Sequence, residues 1–149
     1  MSRQGLIRIY VDTNVLINYC TGQKSDVESL NYVFSKRRKE VLFTSTLALA
    51  QTIANLQTKK KTRKPFTKQS VIDILNYFYK KLTIINFSPD DIITAMSENG
   101  TDVEDCIHAT LAKKVKCNAI LTNNISDFAN FDDVIVMPSY LSYLKASIR

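Results

Sequence analysis

Acidic residues recur along this chain at places from which they could act together. Asp12 follows the apolar run 6–11 and opens the triplet Asp12-Thr13-Asn14. Asp102, Glu104 and Asp105 head an alanine-bearing segment, and Asp127 lies just past the apolar run 119–121. Carboxylates held close repel one another, so a cluster of them implies a compensating cation. Hard divalent cations prefer such oxygen ligands and keep waters. A bound ion can activate one of those waters for attack on a phosphodiester. The acids therefore point to Mg2+ or Mn2+ and to metal-assisted hydrolysis. Asp12 is the central candidate ligand, with the Thr13 hydroxyl and the Asn14 amide beside it. Asp105 stands one helical turn after Asp102, which puts these two on one face and turns Glu104 elsewhere. Each acid also has a plain structural reading. Asp102 and Asp105 suit a helix N-terminus, Asp12 a strand exit and Asp127 an ordinary turn.

Such a site needs elements that bring distant residues to one edge. Residues 7–12, 41–45, 82–87, 119–122 and 134–137 read as strands, rich in β-branched and apolar side chains. Helical patterns separate them. One runs from Asn14 to about Cys20; a second starts at a Ser25/Glu28 capping box and runs to about Lys39. A third spans Thr46 to about Thr58, and 67–80 follows with Val71, Ile74, Leu75 and Phe78 on one face. Ser88-Pro89-Asp90-Asp91 is a helix start whose stop falls near Asn99-Gly100. Asp102 caps a helix to about Lys116, and a last helix begins near Ser139. Strands alternating with helices indicate a three-layer α/β/α sandwich around a parallel sheet of about five strands. In open sheets of this kind, ligands bind at the carboxyl ends of the strands. Residues 1–149 read as one domain, without repeat, linker or low-complexity tract.

The 149 residues carry a formal charge of +6, which favours a polyanionic partner. Two clusters concentrate it: Lys36-Arg37-Arg38-Lys39, and Lys59, Lys60 and Lys61 with Arg63 and Lys64. Either alone suits a solvated helix end; beside an acidic metal site, they suit phosphate contacts. No apolar stretch is long enough for a membrane helix, and the N-terminus leads into a strand without a signal-peptide core. The three cysteines, Cys20, Cys106 and Cys117, are odd in number and lack C-x-x-C spacing, as expected of reduced thiols in a cytoplasmic protein. With one histidine, they form no zinc pattern. His108, one turn beyond Asp105, is left outside the site, since a lone histidine is more often a core or surface residue. Tyr32, Tyr77 and Tyr79 could stack on bases, but their helical spacing fits core or dimer contacts. A phospho-receiver domain would need paired acids after the first strand, and only Asp12 is there.

Three segments together resemble the signatures of the PIN domain family. They are Ile9-Tyr10-Val11-Asp12-Thr13-Asn14, then Asp102-Val103-Glu104-Asp105 heading its helix, then Leu121-Thr122-Asn123-Asn124-Ile125-Ser126-Asp127-Phe128. They occur in family order and cover essentially the whole chain. The resemblance implies a parallel α/β/α sandwich, often a dimer, that cleaves RNA with Mg2+ or Mn2+. Many small single-domain members of this type are VapC-type toxins held in check by an antitoxin, so the resemblance also implies an antitoxin partner and a homodimer. Carried over, Asp12, Asp105 and Asp127 are metal-site carboxylates, Thr122 and Asn124 polar support, and Asp102 an extra acid. The sequence departs from the pattern at Gln51, where the family usually has a glutamate on the helix after the second strand. An amide offers its carbonyl oxygen but no charge and no proton acceptor. If that departure silences the site, the chain becomes a catalytically weak or inactive PIN domain that binds RNA or a protein.

Overall fold

The computed structural model of the chain describes residues 7–35, 41–131, 133–138 and 144–145. Five short strands form its centre: β1 (Ile9–Val11), β2 (Leu42–Ser45), β3 (Thr83–Ile85), β4 (Ala119–Leu121) and β5 (Ile135–Met137). They pair in the order β3-β2-β1-β4-β5, every pair parallel. The expected sandwich is present, each strand falling inside its expected range. The helices are α1 (Thr13–Cys20), α2 (Lys24–Phe34), α3 (Thr46–Gln57), α4 (Lys68–Lys81), α5 (Pro89–Ala95), α6 (Val103–Lys114) and α7 (Ile125–Phe128).

Parallel strands buried on both faces explain why β1 and β4 are apolar without alternation. Ile9, Val11, Ala119 and Leu121 point into one core with Val15, Leu16, Leu30, Val33 and Phe78. Tyr10 and Ile120 point into the other, against Ala109, Leu111, Ala112 and Phe128. Each fully buried side chain of this size is worth about 1.5–3 kcal/mol. The strand order reverses direction at β1, between β2 and β4, so the crevice at the carboxyl ends of β1 and β4 is the switch point of the sheet. Asp12 and Thr122 are the residues that step out of those two strands.

Local boundaries differ from expectation in four places. Helix α2 starts at Lys24 with Gln23 as its cap, and no Ser25/Glu28 box forms. The Gln23 carbonyl already accepts from Val27 N, so Ser25 is inside the first turn. The basic run Lys36–Lys39 lies outside the described residues, as do most residues of the expected last helix, of which Leu144 and Lys145 are helical. Helix α5 starts where expected, with a Ser88/Asp91 capping box, but ends at Ala95 rather than near Asn99. Tighter i+3 bonds from Ser97 and Glu98 close its last turn, and Glu98 is drawn to Lys113 Nζ at 2.9 Å. Helix α6 ends at Lys114, because Lys116 takes a left-handed φ of 59° that lets Cys117 N bond the Ala112 carbonyl. The short helix α7 was not expected.

Candidate active site

Asp12 is held by three hydrogen bonds. It caps α1 from the end of β1, and it is 4% exposed. Its Oδ1 accepts from Thr13 N at 2.8 Å, and its Oδ2 from Asn14 Nδ2 at 2.7 Å and the Thr122 hydroxyl at 2.8 Å. The Thr122 hydroxyl also accepts from Asn124 N at 3.0 Å, and Asn14 Oδ1 accepts from Asn123 N at 3.1 Å. The two strand exits are thereby locked together, with a carboxylate at the junction. Thr13, Asn14, Thr122 and Asn124 are thus found around Asp12.

Beyond Asp12 opens a cavity of about 490 Å3, lined by Asp12, Thr13, Asn14, Gln51, Glu104, Asp105, His108 and Asn124, with Ile17, Ala54, Asn55 and Thr58 on the α1–α3 side. Asp105 reaches it from the first turn of α6. Burial, and then the charges of Asp102, Asp12, Asp127 and Glu104, push its carboxyl up to about 6. Asp127, on α7, is exposed and outside the lining, but its charge is felt at Asp105. Asp102 is outside the lining as the N-cap of α6, its Oδ1 accepting from Asp105 N at 3.0 Å.

The expected division between Asp102 and Glu104 is reversed. Glu104 lines the cavity and accepts from Gln51 Nε2 at 2.9 Å, whereas Asp102 turns back to cap its own helix. As the N-cap, Asp102 has extended backbone angles, so the helical spacing that paired it with Asp105 does not apply to it.

His108 belongs to this site and was passed over in the sequence. It is 2% exposed, its Nδ1 2.7 Å from the Tyr10 hydroxyl and its Nε2 3.0 Å from Gln51 Oε1. Burial lowers its pKa, the charges of Asp12, Glu104 and Asp102 opposing in part. The ring is therefore neutral, and its 4.0 Å approach to Asp12 Oδ1 is not an ion pair. Its spacing of three from Asp105 was the available signal, since residues three apart share a helix face. Tyr10 and Ser45, hydrogen-bonded to each other at 2.7 Å behind the ring, carried no signal of their own.

Lys59, Lys60, Lys61 and Lys64 are exposed on the loop that follows α3, directly after Thr58 in the cavity wall. Arg63 differs. It is half-buried, bonding the Asn55 and Leu56 carbonyls at the end of α3 and lying 5.5 Å over the Phe66 ring. Its place is that of a C-terminal cap. The thiols of Cys20 and Cys117 are pushed up to about 12 by burial, which leaves them unreactive at neutral pH. Of the tyrosines, Tyr77 packs against Tyr19, Phe34 and Phe78, while Tyr79 is exposed.

Among the described residues no three His, Cys, Asp or Glu side chains converge closely enough to grip an ion unaided. The donor chemistry nevertheless fits a hydrated one. Mg2+ keeps several waters and takes only one or two carboxylates, and Asp12 and Asp105 supply two in a cavity where burial, and then its neighbours' charges, disfavour the ionised Asp105. No helix among the described residues is long and apolar enough to cross a membrane.

Comparison with known proteins places the fold. A chain of VapBC2 from Rickettsia felis, in a crystal structure bound to a DNA fragment from its promoter, superposes with a TM-score of 0.63 at 20% identity, over 89% of this chain and 98% of that one. A chain of FitAB bound to a DNA fragment gives a TM-score of 0.63 at 17% identity, over 88% of this chain and 94% of that one. At these identities the likeness is one of fold. A comparison with curated proteins gave no match. The PIN domain family model matches residues 9–134, from β1 to the approach of β5 and across the whole cavity. The chain belongs to the PIN domain family.

Proposed function

We propose that this protein is a metal-dependent endoribonuclease, the toxin of a toxin–antitoxin pair. The observation that carries the reading is the cavity at the sheet's switch point, where Asp12 and Asp105 face a solvent-open space that begins a lysine-rich loop at its rim. Asp12 and Asp105 would hold Mg2+ or Mn2+, with Asp127 and Asp102 acting through waters. Bound there, the ion supplies a water nucleophile and neutralises charge developing on a phosphodiester. Asn14 and Thr122 hold Asp12 in orientation through hydrogen bonds to its Oδ2. Lys59, Lys60, Lys61 and Lys64 would hold the RNA backbone by charge, whatever its sequence. The pairing with an antitoxin draws on the VapBC2 and FitAB complexes that share the fold; the homodimeric state rests on the family resemblance alone.

Gln51 supports a second reading, a PIN domain that binds RNA or protein without cutting. The two separate in one experiment: purified protein and Asp12→Asn are incubated with a panel of tRNA and structured RNA in Mn2+, Mg2+ or EDTA. Cutting that needs the metal and is lost in Asp12→Asn supports the nuclease. Retention of cutting in Asp12→Asn would refute the site. Retention of RNA by uncut gel shift, with no cutting in any metal, would favour the binding module.

A further inference from the structure

The hydrogen bonds around Gln51 fix which way its amide faces. A carboxylate only accepts, so Gln51 Nε2, 2.9 Å from Glu104 Oε2, donates to it. The carbonyl oxygen then faces inward, where the Thr13 hydroxyl at 2.7 Å and His108 Nε2 at 3.0 Å both donate to it. His108 is pinned from its other side by the Tyr10 hydroxyl at Nδ1, and Tyr10 by Ser45. Ser45 caps α3 by accepting from Ala48 N at 3.0 Å, and α3 is the helix that carries Gln51. A closed, directed chain therefore runs from the base of α3 through the sheet and back to the cavity, and its outermost bond is the one to Glu104.

Glu104 stands exposed on the first turn of α6, where a free glutamate would spread over many rotamers. The bond from Gln51 selects the one that lies on the cavity wall with Asp12 and Asp105. A glutamate at position 51 would abolish this arrangement. It has no N–H for Glu104, and two carboxylates would meet at hydrogen-bond distance. An amide at 51 and an acid at 104 are thus complementary.

We propose that Glu104 provides the carboxylate that position 51 lacks, and that Gln51 is a positioning residue that holds Glu104 toward the metal. The inference rests on reading the cavity as a divalent-metal site. Its test needs no RNA: Mn2+ is titrated calorimetrically into metal-free native protein, Glu104→Gln, Gln51→Leu and the double variant. Glu104→Gln should weaken Mn2+ binding about tenfold, the scale on which supporting groups act at metal sites. Gln51→Leu should weaken it less, and should add nothing in the Glu104→Gln background, because the group it positions is gone. Unchanged affinity in Glu104→Gln overturns the proposal, as does an equal effect of Gln51→Leu in both backgrounds. If native protein takes up no Mn2+, the metal reading falls with it; normal uptake with an indifferent Glu104 removes this inference alone. A second readout is independent of metal. In EDTA, Gln51→Glu should lower the Tm by several degrees, and adding Glu104→Gln should restore it; an equal loss in both backgrounds refutes the pairing.

Discussion

Replacing Asp105 by asparagine should stabilise the metal-free protein while it disables metal binding. The folded pKa of Asp105 is raised to about 6, from 3.8, first by burial and then by the charges of Asp102, Asp12, Asp127 and Glu104. Between those two values the folded state binds more protons than the unfolded state, so stability falls as pH rises and the deficit is complete above about pH 6. A shift of two units corresponds to about 3 kcal/mol at most, at about 1.4 kcal/mol per unit. Asp105 is only partly buried, and solvent screening reduces this to about 1–2 kcal/mol. For a chain of this length, that is a rise in Tm of about 3–6 °C. The assay is thermal unfolding by circular dichroism in EDTA, from about pH 4.5 to about pH 7.5, for native protein and Asp105→Asn. The two curves should converge toward the acid end and separate toward neutrality, the variant being the more stable. With excess Mn2+ the order should reverse, because the ion stabilises only the protein that binds it. A variant equal to or less stable than native protein at neutral pH in EDTA would mean that the carboxylates do not strain this cavity.

Four further variants probe the frame of the site and its basic loop. Thr122→Val keeps the shape but removes a fully buried hydroxyl that donates to Asp12 and accepts from Asn124 N. It should cost about 2–3 kcal/mol in urea unfolding, and a loss below half of that would show the lock between the strands to be slack. Gly100→Ala places a Cβ 2.7 Å from Phe131 Cζ and 2.9 Å from Cys106 Sγ. About 1–3 kcal/mol of destabilisation is expected, and an unchanged Tm would contradict that packing. Changing Lys59, Lys60 and Lys61 together to glutamine, in an Asp12→Asn background, should reduce the logarithmic salt slope of RNA binding by about 2. Arg63→Gln should leave that slope alone and lower stability by about 1–2 kcal/mol, since Arg63 caps α3; the opposite pattern would exchange their roles.

The sheet was legible because its signal is local and redundant. Runs such as Ile9–Val11 and Ala119–Leu121 are apolar along their whole length, which in a chain alternating with helices leaves little alternative to buried parallel strands. Helix ends were less legible where several polar residues offered the same service. Ser25 and Glu28 have the spacing of a cap, but the Gln23 carbonyl closes the turn first. Helix α7 is four residues long and held by Phe128, a tertiary contact that no local pattern announces.

The site divides along a similar line. Asp12, Thr13 and Asn14 sit next to a strand end, so the position of the strand placed them; Thr122 and Asn124 were implied by the family resemblance, and the structure brings all five into one hydrogen-bonded group. Residues whose part depends on a partner far along the chain could not be placed in that way. Glu104 faces the cavity because Gln51, 53 residues earlier, donates to it. His108 is buried because Tyr10, 98 residues earlier, supplies a hydroxyl to its Nδ1. A periodicity argument treats a helix as an isolated cylinder and asks only which face each residue shares. Side-chain direction in the first turn is decided instead by which distant donor or acceptor is left unpaired when the layers close. That is why Gln51, read alone, counts as a missing acid, and read with Glu104, His108 and Thr13 is the donor that fixes where the Glu104 carboxylate points.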